Sequence, residues 1–157
     1  DYGKGIFVLV KTSNPSSGDL QDKEIQGELV YEVMAKEVNY LGSSLIGGRG
    51  YSSVGAVVGA TYPEQAKKVR ALLPQSILLV PGYGAQGGKA QDVPVYFHSD
   101  GYGAIISSSR GITFAYLEDS NFSPEEFHLA ARKAAEKMRD EIVSSLKEAG
   151  KLPKNWS

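Results

Sequence analysis

The sequence predicts an α/β fold made of parallel (β/α) units, four in a row, in the pattern of half a (β/α)8 TIM barrel. Three features carry this reading. Four short apolar runs are rich in branched residues, helical patterns alternate with them, and each run gives way to a loop rich in turn-forming or small residues. Such alternation produces a parallel sheet with right-handed crossovers. Runs that stay apolar at successive positions suit strands buried on both faces.

The first strand is Gly5-Ile6-Phe7-Val8-Leu9-Val10-Lys11, and Thr12 to Gly18 after it is turn chemistry, with short polar side chains, Pro15 and Gly18. A helix follows over about residues 29–41, with Leu29, Val33, Met34, Val38 and Leu41 on its apolar face. A glycine- and serine-rich connection leads to the second strand, Val54 to Ala60. Thr61-Tyr62-Pro63-Glu64 then opens a helix with a cap candidate, a proline in the first turn and an early acid. That helix stops before Pro74. Ile77-Leu78-Leu79-Val80 is the third strand, and Pro81 to Gly88 is a glycine-rich loop. A short, poorly helical segment containing Pro94 leads to the fourth strand, Gly103 to Ser107. Ser123-Pro124-Glu125-Glu126 starts a long final helix, expected over about 123–150.

Composition narrows the function classes. At 41% hydrophobic and 22% charged residues the chain suits one globular region spanning 1–157. A formal net charge of −1 gives no general pull toward nucleic acid or membrane. The absence of cysteine excludes disulfides, thiolate metal sites and a cysteine nucleophile, and fits a cytoplasmic protein. Apolar runs such as Ile77 to Pro81 are too short to span a bilayer, and no signal peptide is visible. No spacing resembles a zinc or calcium site, so no metal is expected.

Four strands buried on both faces need covers on both sides. Half of a barrel explains them, because a barrel interior is filled with branched side chains. It also fits the start at Asp1, from which the chain enters an apolar strand within a few residues. A half-barrel alone would leave an apolar face and two sheet edges open, which invites association.

Ligands in parallel α/β folds bind beyond the carboxyl ends of the strands. Four loops fall there: 12–18, 60–62, 81–88 and 107–111. The third has four glycines in eight residues, and the fourth supplies Ser107, Ser108, Ser109 and Arg110. Glycine lets backbone N–H groups approach an anion closely, while hydroxyls and a guanidinium fork suit phosphate oxygens. Adjacent loops of this kind after the last two strands match the phosphate site recurrent in (β/α)8 barrels. Gly82-x-Gly84-x-x-Gly87 also satisfies the dinucleotide fingerprint, but residues 89–102 are too short and too broken by Pro94 to supply the helix it needs. Lys11, at a strand end, could form a Schiff base, although a lysine there more often pairs with a carboxylate. His98 and His128 are expected at the surface, away from the loop face. The charged residues of 127–148 read as the solvated face of an amphipathic helix.

Read together, the four loop motifs resemble the orotidine 5'-monophosphate decarboxylase family, in its longer bacterial subgroup. They are Val10 to Gly18, Val54 to Thr61, Val80 to Gly88 and Ile105 to Gly111, in this order. The resemblance covers about residues 5–116 and implies the C-terminal half of the barrel. It implies conversion of orotidine monophosphate to uridine monophosphate in pyrimidine biosynthesis, with no metal or cofactor, in a homodimer. By the same resemblance Ser13 hydrogen-bonds the pyrimidine, Pro81 and Tyr83 lie near the base, and Gln86 links base and phosphate. Arg110 clamps the phosphate, and the backbone N–H groups of Ser109 and Arg110 also hold it. The family often has glycine where Ser109 stands. The family's catalytic network, written Asp-x-Lys-x-x-Asp, occurs nowhere in the sequence. Its lysine protonates the carbanion left by carbon dioxide, and its residues are expected N-terminal to Asp1, in a missing half of the same barrel. Two other readings stay open here: a phosphate-binding barrel enzyme such as a Schiff-base aldolase using Lys11, and a non-catalytic phosphoribosyl-binding half-barrel.

Overall fold

The computed structural model describes residues 3–84 and 86–156. The chain's start at Asp1 lies outside the described residues, as do Tyr2, Ala85 and Ser157. The strands are β1 (Ile6–Lys11), β2 (Glu24–Ile25), β3 (Glu28–Leu29), β4 (Val54–Val58), β5 (Leu78–Pro81) and β6 (Ala104–Ser107). The helices are α1 (Gly18–Gln21), α2 (Val30–Gly42), α3 (Pro63–Leu72), α4 (Ser109–Thr113), α5 (Ala115–Glu118) and α6 (Phe127–Glu148). Short 3-10 segments occupy Pro15–Ser17, Ala90–Tyr96 and Pro124–Glu126. Among the described residues, no helix is long and apolar enough to cross a membrane.

Four strands form one parallel sheet in the order β1-β4-β5-β6. Each strand of this sheet pairs with the next in the chain, with no reversal of direction across the sheet. A doubly wound sheet reverses its strand order at a switch point, whereas a barrel advances steadily. The order therefore belongs to a barrel segment. The separate antiparallel ribbon of β2 and β3 was not foreseen. Its tip is Gln26-Gly27, with φ of 53° and 85°, the two positive values that a tight hairpin turn requires.

The helices cover one face of the sheet. Val10, Ala56, Val58, Leu78 and Val80 are buried there, together with Ala35 and Val38 of α2 and Ala66 and Val69 of α3. The other face is open: Phe7, Leu9 and Ile105 are 44%, 61% and 49% exposed. The expectation of burial on both faces is corrected, since only one face has a cover. In β1, Phe7 and Leu9 alternate with half-buried Val8 and buried Val10, as period-two geometry demands.

The inward face of α2 also differs from the expected one. Tyr31, Ala35, Val38 and Gly42 point to the sheet, Val33 and Met34 are half-buried, and Leu41 is exposed. A helix lies closest to a sheet where its facing residues are small. A Cβ on Gly42 would fall 2.5 Å from the Ser52 hydroxyl oxygen, so no larger residue fits there.

At the amino ends of the strands, buried Arg70 donates to the carbonyl oxygens of Gly103, Leu73 and Ser76. Burial holds its guanidinium pKa below the usual value but still far above neutrality, so the group stays charged. His98, expected at the surface, is instead half-buried, and burial followed by the nearby Arg70 charge lowers its pKa. Lys151 closes the same end by donating to the carbonyls of Pro94 and Phe97. Replacing Arg70 by alanine would take a charged donor from three carbonyls, of which those of Gly103 and Leu73 keep the backbone N–H groups of Leu78 and Ser76. Arg70→Ala should lower unfolding free energy by about 3 kcal/mol, read from the midpoint of urea denaturation at unchanged slope.

Candidate functional site

The loop after β1 is shaped by its own polar groups. Lys11 is fully buried and donates to both Asp22 carboxylate oxygens, at 2.8 and 2.9 Å. Its ammonium lies 4.6 Å from the centre of the Tyr62 ring. The Thr12 N–H donates to Gln21 Oε1 at 3.0 Å. These contacts fold residues 12–22 back on themselves and leave Ser13 at the head of the sheet. They also decide the question of Lys11: its amine is tied to Asp22 beneath Tyr62 and does not line the cleft described below, which removes the geometric basis for a Schiff-base enzyme.

Two neighbouring loops hold Ser13 in place. Gly59 approaches so closely that a Cβ there would lie 2.6 Å from the Ser13 nitrogen. Thr61, expected as a helix cap, instead donates its hydroxyl to the Ser13 carbonyl at 3.2 Å, and the Tyr62 hydroxyl donates to the Asn14 carbonyl at 3.3 Å. From the loop after β5, Gln86 Oε1 accepts the Ser13 hydroxyl at 2.5 Å. Gly82 makes this possible: its φ is +93°, and a Cβ there would sit 2.7 Å from Gln86 Oε1 and 2.9 Å from the Ser13 Cβ.

The glycine-rich loop closes through its own backbone. Gly84 N–H donates to the Gly88 carbonyl, Gly87 N–H to Gly84 and Gly88 N–H to Gly82. Next to it, the Ser108 hydroxyl donates to the Tyr83 carbonyl at 3.1 Å, joining the loops after β5 and β6. Ser109 and Arg110 begin the short helix α4, with Ser108 at its N-cap. Arg110 is exposed and forms no ion pair among the described residues.

One cleft of about 160 Å³ collects the outcome. Ser13, Pro81, Tyr83, Gln86, Ser109 and Arg110, all six residues singled out from the sequence, line it. Gly82, Ser107 and Ser108 complete the wall. The hydroxyl of Tyr83 points elsewhere: it donates to Glu141 Oε2 on α6 at 2.7 Å, and burial followed by the Glu141 charge raises its pKa. A larger cavity of about 540 Å³ lies beyond Tyr83, against α4, α5 and α6. It contains neither Ser13, Gln86 nor Arg110, so size alone does not mark the site; the convergence of three loops does. The dinucleotide alternative fails on the segment after the glycines, which is a 3-10 helix at Ala90–Tyr96 and offers no α-helix to face a pyrophosphate.

The close fit at Gly82 has a measurable consequence. Gly82→Ala adds a clash to an unfavourable φ and should cost about 2–3 kcal/mol. Gly48→Ala, where a Cβ meets nothing within 4 Å, should stay within about 0.5 kcal/mol of the parent. Chemical denaturation of both variants checks the difference.

Known proteins resemble this chain in sequence and in fold. The model of the family described as "Orotidine 5'-phosphate decarboxylase / HUMPS family" matches residues 1–121. The chain is 45% identical over 145 residues to orotidine 5'-phosphate decarboxylase of Caldicellulosiruptor bescii, covering 92% of this chain and 47% of that protein. It is 52% identical over 127 residues to the protein of the same name from Rhodopirellula baltica, covering 81% and 40%. The chain thus spans about half the length of the curated relatives it matches. Among solved structures, Leishmania donovani OMP decarboxylase superposes with a TM-score of 0.62 at 30% identity, over 88% of this chain and 48% of that one. Plasmodium berghei orotidine 5'-monophosphate decarboxylase gives 0.69 at 26% identity, over 90% and 40%.

Proposed function

The chain belongs to the orotidine 5'-phosphate decarboxylase / HUMPS family, and from that membership we propose that it supplies the pyrimidine- and phosphate-binding loops of an enzyme converting orotidine monophosphate to uridine monophosphate and carbon dioxide. The observation that carries the proposal is the convergence of Ser13, Gln86 and Arg110 on one cleft at the carboxyl ends of the strands.

In this reading the phosphate lies between the glycine loop and the start of α4. Arg110, a cation with no ion pair among the described residues, meets the phosphate dianion. Bonds between ionised partners are about twice as strong as neutral ones, and the guanidinium fork can engage two oxygens at once. The N–H groups of Ser109 and Arg110 add donors to the same end. Gln86 stands between this end and Ser13, to which it is already bonded, so it is placed to bridge phosphate and pyrimidine. The Ser13 hydroxyl addresses the base, and Pro81 and Tyr83 form the wall beside it.

The cleft is smaller than the roughly 300 Å³ at which ligand pockets begin, so it accommodates only part of a nucleotide. We assign the remaining walls, and the lysine and aspartates that act on the carboxylate, to four further (β/α) units of the same barrel. Those units would cover the open face of Phe7, Leu9 and Ile105. The loops described here then provide binding energy remote from the reacting carbon, which an enzyme converts into a lower barrier at that carbon. The reading requires no metal or cofactor. It includes a homodimer, as the family resemblance implies, and a cytoplasmic location, which the absence of cysteine fits.

Two measurements test it. In the complete barrel, Arg110→Ala should reduce kcat/KM for the phosphorylated substrate by about 3 kcal/mol in barrier terms, and a rate near the parent value would remove Arg110 from its role. The purified 157-residue chain alone should form no uridine monophosphate, since it has no Asp-x-Lys-x-x-Asp network; turnover free of contaminating enzyme would contradict the division of labour.

A further inference from the structure

The glycine loop has few means of holding its position. Of its described residues 82–84 and 86–88, Tyr83 carries the only buried side chain. The hydrogen bonds among Gly82, Gly84, Gly87 and Gly88 fix the loop's internal shape but not its placement on the protein. Gln86 is exposed and bonds through its side chain to Ser13, itself part of a loop. Gly88 is buried close to Ala60 at the far end, and placement of the middle of the loop falls to Tyr83. Its carbonyl accepts the Ser108 hydroxyl, its ring is 7% exposed, and its own hydroxyl donates to Glu141 Oε2 at 2.7 Å.

Glu141 sits on α6, 58 residues further along the chain. It lines the larger cavity and is absent from the walls of the cleft. No ligand in the cleft would touch it, and its charge is partly offset by Lys137 at 3.9 Å, so its attractive influence on binding passes through the tyrosine. A bond from a hydroxyl to a carboxylate is among the stronger protein hydrogen bonds. Losing it frees the ring end and leaves the middle of the loop attached mainly through the Ser108 contact, its ends being held by β5 and by buried Gly88 close to Ala60.

We propose that Glu141 is a positioning residue for the phosphate cradle: by accepting the Tyr83 hydroxyl it pins the glycine loop in the arrangement that presents Gln86 to Ser13 and to the cleft. This rests on the reading of the cleft as a nucleotide phosphate site. It extends that site to a helix whose sequence reads as an ordinary charged surface. A loop that spends less time in the competent arrangement binds more weakly in proportion to the lost population.

The test compares uridine monophosphate with uridine, by calorimetry on the complete barrel. Tyr83→Phe keeps the ring and removes the donor; Glu141→Leu removes the acceptor; Glu141→Gln keeps a neutral acceptor. Tyr83→Phe and Glu141→Leu should each weaken uridine monophosphate binding about tenfold, and the double variant no more than either alone. Glu141→Gln should retain most of the affinity. In Glu141→Leu uridine should lose clearly less affinity than uridine monophosphate, because the nucleoside lacks the phosphate that the loop holds. If Tyr83→Phe fails to fold, the glutamate pair carries the comparison. Unaltered nucleotide affinity in Glu141→Leu would overturn the proposal while leaving the phosphate site standing, and so would an equal loss for uridine, which would indicate general damage. If the parent protein binds uridine but gains nothing from the phosphate, the phosphate site and the role of Glu141 fall together.

Discussion

The 2.5 Å hydrogen bond from the Ser13 hydroxyl to Gln86 Oε1 is the contact on which the proposed site depends. It joins the loops after β1 and β5, which are separated by another strand of the sheet. Two constraints make it possible. Gly59 and Gly82 leave room for the Ser13 backbone and side chain, and the Lys11–Asp22 pair folds the first loop so that Ser13 stands above the sheet. Remove either constraint and the two side chains no longer meet. The bond is part-way between structure and chemistry: it shapes the cleft, and in the proposed reading its two partners address a base and a phosphate.

The sheet beneath supplies the alignment. Parallel strands in steady order put all four following loops at one end, so recognition needs no long-range adjustment of the backbone. The same geometry leaves a problem at the opposite layer. Phe7, Leu9 and Ile105 stand on the uncovered face at 44%, 61% and 49% exposure, and β1 and β6 have free edges. Apolar exposure combined with unpaired edges favours association. The proposed further units would resolve both at once, since a barrel has no edge strands and its interior is packed.

How much of this the sequence reveals depends on the range of the interaction. The four strands, the steady alternation and the grouping of four loops at one end follow from local signals (branched apolar runs, turn residues and the order of the loops), while the choice of the six cleft residues rests on the family resemblance. The loop motifs also carry the family resemblance, which the comparisons with known decarboxylases support. What sequence reading missed lies in tertiary contacts. Leu41 completes a plausible apolar stripe, but α2 turns its small residues inward because the sheet is close, and Leu41 faces solvent. Thr61 has the chemistry of a cap, but the Ser13 carbonyl captures its hydroxyl. His98 lacks any local sign of burial and is half-covered beside Arg70. The Gln26-Gly27 turn did carry a local signal, a glycine at the second central position, which short flanking strands made easy to overlook. Glu141 gave none, because its partner is 58 residues away and its neighbours are ordinary surface charges.

Two arginines show why ligand chemistry belongs at one end of these strands. Arg70, at the amino ends, is buried and donates to three carbonyls, so its hydrogen-bonding capacity is largely used inside the protein. Arg110, at the carboxyl ends, is exposed and forms no ion pair among the described residues. A buried cation satisfied by carbonyls stabilises the fold but offers little to a ligand, while an unpaired one at a cleft attracts an anion without first breaking an internal bond. The same side chain therefore serves stability at one end of the sheet and, in the proposed reading, recognition at the other. Burial and the partners within reach decide which.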